Sequence, residues 1–429
     1  MNLAVIGAAG IMGSYSARAL APRAEKLLVY DSKPRAEIEA KLDGLPYAIS
    51  DTPADAVRDA NIVLFCVPTH LVQGVMHETL PHCKRGALIT GQTSRKEPET
   101  RAFDEYNAKN PESRLEMVTI HTMCDPSKSE ASREILGIIK HCASEKAYTR
   151  AYDFFSPLSN HVEEFATIDE HDTAVAYTQI NVSRTFLSIA SSFAAAGCFP
   201  WLSGNYGSSF DSMKFALAMR AASAQPHIYK GIQFGSRHGN HIVSTSLAIE
   251  HELYRLVVGN EKEKYQDILC EARERLFGEH RRPLLTDEDM KFRANGAALP
   301  NSDFSIMQWI ASYAALNRDI HEDFKATTPM HRALYCLADR LCNTERFEEA
   351  LEAPFEISSL RADDLVFDRQ INGWSEALLY ENEESYESRH AAMRARLDSS
   401  MLAREVEKSK GIIGICRTRF DDARARGRL

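Results

Sequence analysis

Residues 3–13 read LAVIGAAGIMG, and this stretch decides the fold. A short apolar, β-rich run meets a glycine turn, Gly7-Ala8-Ala9-Gly10-Ile11-Met12-Gly13, which opens a helical pattern. Small residues at this spacing answer three physical needs. The chain must turn tightly, its backbone must approach a pyrophosphate, and the helix must pack on the strand. The helix N-terminus then presents unbonded N–H groups and a positive dipole end to phosphate. Asp31 closes the next apolar run, KLLVYD (26–31), 21 positions after Gly10. A carboxylate there can accept both ribose hydroxyls of an adenosine. The turn, Asp31 and the adjoining Ser32 are therefore candidate cofactor-binding residues. Asp31 favours NAD, because it repels a 2′-phosphate. Ser32, Lys33 and Arg35 follow directly and keep NADP open.

Outward from this turn, apolar runs alternate with helical patterns. They are residues 61–68 (NIVLFCVP), 86–91 (GALITG), 116–121 (EMVTIH) and 134–140 (EILGIIK). Runs that are apolar throughout suit strands buried on both faces of a parallel sheet. The pattern predicts an α/β fold, with an N-terminal doubly wound, Rossmann-like parallel sheet over residues 1–160. From about residue 165 the texture changes. Apolar residues recur at three and four spacing in 172–196, 245–258, 262–276, 304–317 and 329–342, and helix formers dominate 376–410. A large all-α C-terminal domain over 161–429 follows, with the hinge near 150–165. Gly- and Pro-rich connections are expected at 199–210, 281–289 and 294–303.

Composition bounds the function. The chain has 429 residues, 44 % hydrophobic and 26 % charged, which fits a globular protein of two or three domains. Its net charge of −9 argues against nucleic acid as a partner. The basic tail RTRFDDARARGRL is interrupted by Asp421 and Asp422 and reads as a solvated helix end. No apolar run approaches the roughly 18 residues of a membrane span, and the N-terminus lacks a signal-peptide pattern. Nine scattered cysteines show no metal-ligand spacing, which predicts reduced thiols, no bound metal and a cytoplasmic location.

Ligands of doubly wound sheets sit beyond the carboxyl ends of the strands. Val67 and Pro68 are thus expected to line the adenosine side of the cleft, and Thr93 the cofactor further along. Gly91-Gln92-Thr93-Ser94 and His121-Thr122-Met123 end two further strands. A histidine at such a strand end can act as a general base, since its pKa lies near neutrality. A satisfied structural histidine stays open as the other reading.

GxxGxxG, GQTSRK (91–96), VTIHTMCDP (118–126), DEHD (169–172) with Gln179, and LAMRAASAQPHIY (217–229), in that order, resemble the prephenate dehydrogenase family. GQTSRKEPETRAFDEY and ALPNSDFSI are closest to its fungal-type members. The resemblance spans residues 3–320. It implies NAD(P)-dependent oxidative decarboxylation of prephenate, or of an arogenate-type or amino-substituted analogue, to an aromatic product in tyrosine or specialised aromatic metabolism. The family's catalytic His falls on His121, and its active-site Ser, expected to brace that ring, falls on Ser94. Its carboxylate-binding Arg falls on Arg220, where a guanidinium suits bidentate capture of an acid. Gln179, Ser183 and Lys230 are further substrate-binding candidates, and His171 reads as structural. The resemblance also implies a homodimer through the helical half, whose apolar stripes exceed what one thin layer could bury.

Two departures bear on the substrate. Ser183 stands where the family has a second active-site His, and Asp125 stands where a glycine precedes the proline. An extra carboxylate near the site would repel a dianion, or pair with Lys230 or with an amine on the substrate. Two other readings compete. Hydroxyacid or opine-type dehydrogenases with a helical second domain use a Lys base on the first long helix, and 172–196 contains no Lys. A non-enzymatic sensor of the nicotinamide redox state would not need His121 and Ser94, yet both are present.

Overall fold

The computed structural model describes residues 1–197, 208–278, 282–291 and 301–429. The chain forms two compact units. One comprises Met1–Val175 with Lys325–Thr328, the other Ala176–Phe324 with Pro329–Leu429.

The first unit holds an eight-stranded sheet. Its strands are β1 (Asn2–Ile6), β2 (Lys26–Tyr30), β3 (Ala48–Ile49), β4 (Ile62–Phe65), β5 (Leu88–Gly91), β6 (Glu116–Thr122), β7 (Ile135–Cys142) and β8 (His161–Phe165), in the order β3-β2-β1-β4-β5-β6-β7-β8. Helices α1 (Ile11–Leu20), α2 (Arg35–Leu42), α3 (Pro53–Val57), α4 (Thr69–Thr79), α5 (Glu97–Lys109), α6 (Glu145–Phe155) and α7 (Ile168–Val175) complete it. Alternation along the strands feeds two cores. Leu3 and Val5 of β1 join Leu64 and Leu88 on one face, while Ala4 and Ile6 join Val63, Phe65 and Ile89 on the other. Helices cover both faces, so β4 and β5 are buried at every residue.

The sheet is not wholly parallel. β7 runs antiparallel to β6, with His121 opposite Gly137. Only residues 123–134 join the two strands, without a crossover helix of the kind a parallel pair uses. α6 then supplies such a crossover, so β8 pairs parallel to β7. β8, with sequence HVEEF, is largely polar because it lies at the sheet edge. Its polarity hides it from an apolar pattern, and the first unit therefore continues past residue 160 to Val175.

The second unit is helical. It contains α8 (Val182–Ala196), α9 (Ser209–Ala222), α10 (Pro226–Gln233), α11 (Arg237–Val258), α12 (Lys262–Phe277), α13 (Phe304–Ala315), α14 (Ile320–Asp323), α15 (Pro329–Cys342), α16 (Arg346–Glu356), α17 (Ser358–Leu379), α18 (Glu383–Ala395) and α19 (Ser399–Ala425). A six-residue π-helix, Ala176–Asn181, precedes α8, so the single helix expected over 172–196 changes its winding midway. Sequence periodicity misses α9 because every residue from Phe210 to Ala222 is buried, and a helix buried all round carries no stripe. Trp309, Trp374, Tyr313, Tyr335 and Tyr386 fill one continuous core. The apolar stripes are thus absorbed inside this unit, and they do not by themselves call for a partner subunit. Most of the expected connections at 199–210 and 294–303, and the start of 281–289, lie outside the described residues.

Candidate active site

The glycine turn is shaped by close contact. Gly7 has φ +91°, and a Cβ there would lie 2.5 Å from the Cys66 carbonyl oxygen. A Cβ on Gly13 would lie 2.0 Å from the Gly7 carbonyl oxygen. Gly10 caps α1 without a side-chain partner, which leaves first-turn N–H groups available to an anion. Ala8 and Ala9 are buried, Met12 is half-buried, and Ile11 is 44 % exposed, unusually so for its size. The residues present therefore fit a dinucleotide: a cradle closed to any Cβ, with a helix N-terminus at its end.

Asp31 follows β2 and turns its carboxylate back on this loop. Oδ2 accepts the Ala9 N–H at 2.8 Å, and Oδ1 accepts the Lys33 N–H at 3.0 Å. Ser32, Lys33 and Arg35 are exposed beyond it. Val67 is half-buried after β4, and Pro68 is exposed at the start of α4. Burial pushes the Cys66 thiol up to about 12, so it is an inert apolar group.

The carboxyl ends of β5 and β6 carry the chemistry. Lys96 and Glu99 are fully buried and pair at 3.0 Å. Lys96 Nζ also donates to the carbonyls of Gly91 (3.1 Å) and Ile120 (2.6 Å). Thr93 and Thr119 donate to the Glu99 carboxylate. Gly91 is required here, since a Cβ would fall 2.0 Å from Glu99 Oε2. The Thr93 hydroxyl is thus committed inside the protein, contrary to its expected place at the cofactor. Gln92 links the glycine helix to β6: its Nε2 reaches Ser16 Oγ (3.4 Å) and Thr122 Oγ1 (3.1 Å), and its Oε1 accepts the Thr122 N–H (3.0 Å).

His121, on β6, is 3 % exposed. Its Nδ1 lies 3.0 Å from Nε2 of His171 on α7, whose Nδ1 lies 2.8 Å from Asp172 Oδ1. Asp172 also accepts the backbone N–H groups of Lys96 (2.9 Å) and Glu97 (3.1 Å) at the start of α5. Burial, then the neighbouring His171 and Lys96, pull the His121 pKa well below its ordinary value. Burial also lowers that of His171, against the opposing pull of Asp172. Burial alone would raise the Asp172 carboxyl, but its bonds to His171, Lys96 and Glu97 outweigh this and hold it low. Ser94 is half-buried after β5 and makes no hydrogen bond among the described residues. The ring of His121 is braced by His171, not by Ser94. The adjacent His-Asp of DEHD is the available signal in the sequence, and it is masked because an isolated buried histidine is usually structural.

In the second unit, Arg220 is buried in the last turn of α9. Gln179 is buried in the π-helix. The Ser183 hydroxyl is committed to the Gln179 carbonyl (2.5 Å) and to Gln233 Nε2 (2.9 Å), and Tyr386 in turn donates to Gln233 (2.9 Å). Lys230 pairs with Glu383 and Glu387, both at 2.8 Å. These contacts make Ser183 and Lys230 structural groups. Within the first unit, Asp125 accepts from the Ser127 N–H and hydroxyl and pairs loosely with Lys128.

Residues 16–136 match the family described as prephenate dehydrogenase, nucleotide-binding domain. Residues 181–415, more than half of the chain, match a family described as a 6-phosphogluconate dehydrogenase C-terminal domain. The prephenate dehydrogenase [NADP(+)] of Saccharomyces cerevisiae is 23 % identical over 79 % of this chain and 76 % of its own. The probable prephenate dehydrogenase [NADP(+)] of Schizosaccharomyces pombe is 23 % identical over 82 % and 83 %. Among solved structures, prephenate dehydrogenase from A. aeolicus in complex with hydroxyphenyl propionate and NAD+ shares the fold. It aligns with a TM-score of 0.50 and 15 % identity, over 63 % of this chain and 95 % of that one. With its nucleotide-binding turn and its 6-phosphogluconate-dehydrogenase-type helical unit, the chain belongs to the prephenate dehydrogenase family, a family of NAD(P)-dependent oxidoreductases.

Proposed function

We propose that this protein catalyses the oxidative decarboxylation of prephenate, with NADP as the preferred cofactor. The observation that carries the reading is His121: a buried imidazole at a strand end of the dinucleotide-binding sheet, held by its Nδ1. The nicotinamide, when bound, accepts hydride from the ring's carbinol carbon. His121 takes the proton of the hydroxyl on that carbon. The C–C bond to the ring carboxylate breaks, CO₂ leaves, and the bonding pair completes the aromatic ring. The phenolate oxygen then recovers the proton. Arg220 pairs with a substrate carboxylate, where its fork geometry gives both affinity and orientation.

Prephenate is favoured over an amino analogue because Asp125 is neutralised within its own turn, which removes the ground for a substrate amine. NADP is favoured because both Asp31 oxygens already accept backbone N–H groups, leaving Lys33 and Arg35 for a 2′-phosphate. Their i,i+4 pairs with Glu37 and Glu39 are exposed and exchange readily. The two relatives named for NADP support the same choice. A homodimer rests on the family resemblance, and light scattering at one protomer mass removes it. Cytoplasmic placement rests on the same resemblance and on the eight described cysteines, all free thiols.

The test is absorbance at the reduced-nicotinamide band with prephenate and with arogenate, each with NAD and NADP. His121→Asn lowers turnover by about 10² to 10⁴ with cofactor affinity unchanged. Arg220→Ala raises the substrate KM by about 10- to 100-fold, the loss of a charge-assisted pair. Wild-type protein that reduces neither cofactor with either substrate refutes the reading.

A further inference from the structure

The hydrogen-bonded line Asp172–His171–His121 does more than fill the core. Each contact fixes the proton of the next. Asp172 receives two backbone N–H groups besides the His171 ring, so it stands as a carboxylate, an acceptor only. His171 Nδ1 must then carry a proton and donate it at 2.8 Å. A neutral imidazole with Nδ1–H has a bare Nε2. That bare nitrogen faces His121 Nδ1 at 3.0 Å, so the proton between them belongs to His121 Nδ1. The Nε2 of His121 is left as a lone pair.

We propose that Asp172 and His171 are positioning residues that hold His121 in its Nδ1–H tautomer, with Nε2 presented as the proton acceptor. The proposal rests on the reading of His121 as the base and names what orients it. Each ring is fixed from a second direction as well. Phe165 of β8 packs edge-on against His171 at 5.1 Å, and the two imidazoles meet edge-to-face at 5.2 Å. The charged and titratable groups around the pair are Lys96 and Glu99 from the start of α5, Asp172 from α7 and Cys66 from the end of β4. Burial keeps both imidazoles neutral at pH 7, as the tautomer argument requires. Once His121 accepts a proton it becomes an imidazolium, and the Asp172 charge then stabilises it through the intervening ring.

The experiment has two arms. In the first, wild-type protein labelled with ¹⁵N-histidine is read by long-range ¹H–¹⁵N correlation at pH 7.5, which separates protonated from bare ring nitrogens. The His121 signals are those lost in His121→Asn. The expected result is a protonated Nδ1 and a bare Nε2. The reverse assignment overturns the proposal, whatever the activity. The second arm compares His171→Leu, which removes the acceptor, with His171→Gln, whose Oε1 can still accept from His121 Nδ1–H. His171→Leu is expected to lower kcat by about 10- to 100-fold at unchanged cofactor affinity, and His171→Gln to restore most of it. Equal kcat for the two variants overturns the proposal. If His171→Leu does not fold, the wild-type tautomer decides alone. Wild-type protein inactive on both substrates refutes the functional reading, while the nitrogen assignment still decides the tautomer.

Discussion

Replacing Lys96 by Met tests whether the buried pair beneath β5 and β6 holds the site together. Lys96 and Glu99 are each 0 % exposed and 3.0 Å apart. Removing one partner of such a pair leaves an uncompensated buried charge and costs about 3–5 kcal/mol. The double variant Lys96→Met/Glu99→Leu removes the charge altogether, and an apolar replacement is about neutral. The single substitution should therefore be far worse than the double, an interaction that only a mutant cycle isolates. The readout has to be local, because a chain of two units need not unfold in one step. Tryptophan fluorescence reports the wrong unit, since Trp201, Trp309 and Trp374 all lie after residue 175. Hydrogen exchange of the β5 and β6 amides reads the right one. At about 1.4 kcal/mol per tenfold, Lys96→Met should speed their exchange by roughly 10² to 10⁴. It should also lower turnover, because Lys96 Nζ holds the carbonyl of Ile120, the residue before His121. Exchange within about threefold of wild type would refute the reasoning.

Gly13→Ala places a methyl 2.0 Å from the Gly7 carbonyl oxygen, a backbone atom that cannot step aside. It should weaken reduced-cofactor binding at least about tenfold in a fluorescence titration. Arg35→Ala should cut kcat/KM for NADP about tenfold and leave NAD unchanged; equal losses for both cofactors remove Arg35 from the phosphate site. Acid should destabilise the protein through its buried histidines. His121 and His171 are depressed below their ordinary pKa, and burial takes His331 down to about 3. Their unfolded forms bind protons first as pH falls, so this stability is complete above about pH 6.5 and is lost below it. Each such group adds up to about 1.36 kcal/mol per pH unit. His121→Asn should flatten the acid slope of the first unit in urea unfolding, and an unchanged slope contradicts its burial as a neutral ring.

Much of the first unit was legible because its strands are buried on both faces. LAVIG and NIVLF admit few other readings, and the glycines at 7 and 13 are demanded by contacts shorter than any Cβ allows. Direction and edges were not legible. The reversal of β7 depends on a short connection, and β8 is a polar edge strand whose pattern resembles a loop. In the helical unit, amphipathic α11, α12 and α15 show in the spacing, whereas fully buried α9 does not. At the site, residue type predicts His121 but not its partner. Ser94 is expected to hold the ring from a neighbouring strand end, while the hydrogen bond comes from His171, fifty residues on. Thr93, Ser183 and Lys230 carry suitable chemistry in suitable places, yet each has its polar atoms engaged locally. Sequence shows which groups could act, and only packing shows which are left free to.

Burying the base has a consequence for the chemistry. A histidine held well below its ordinary pKa is a weak acceptor in the resting protein. It is also unprotonated at every physiological pH, so no fraction of the protein waits in the wrong charge state. Weak basicity matters least where proton removal accompanies an irreversible loss of CO₂ and the closing of an aromatic ring. What the base must then supply is orientation, and a destination for positive charge that forms only during the reaction. Asp172 provides both without raising the resting pKa into the neutral range, because its charge reaches His121 only through a neutral ring and its oxygens are shared with the α5 N-terminus. An acid in direct contact with His121 would have kept the imidazole protonated more of the time. The intervening histidine separates holding the base from charging it, and that separation is what the three-residue line adds over a simple His–Asp pair.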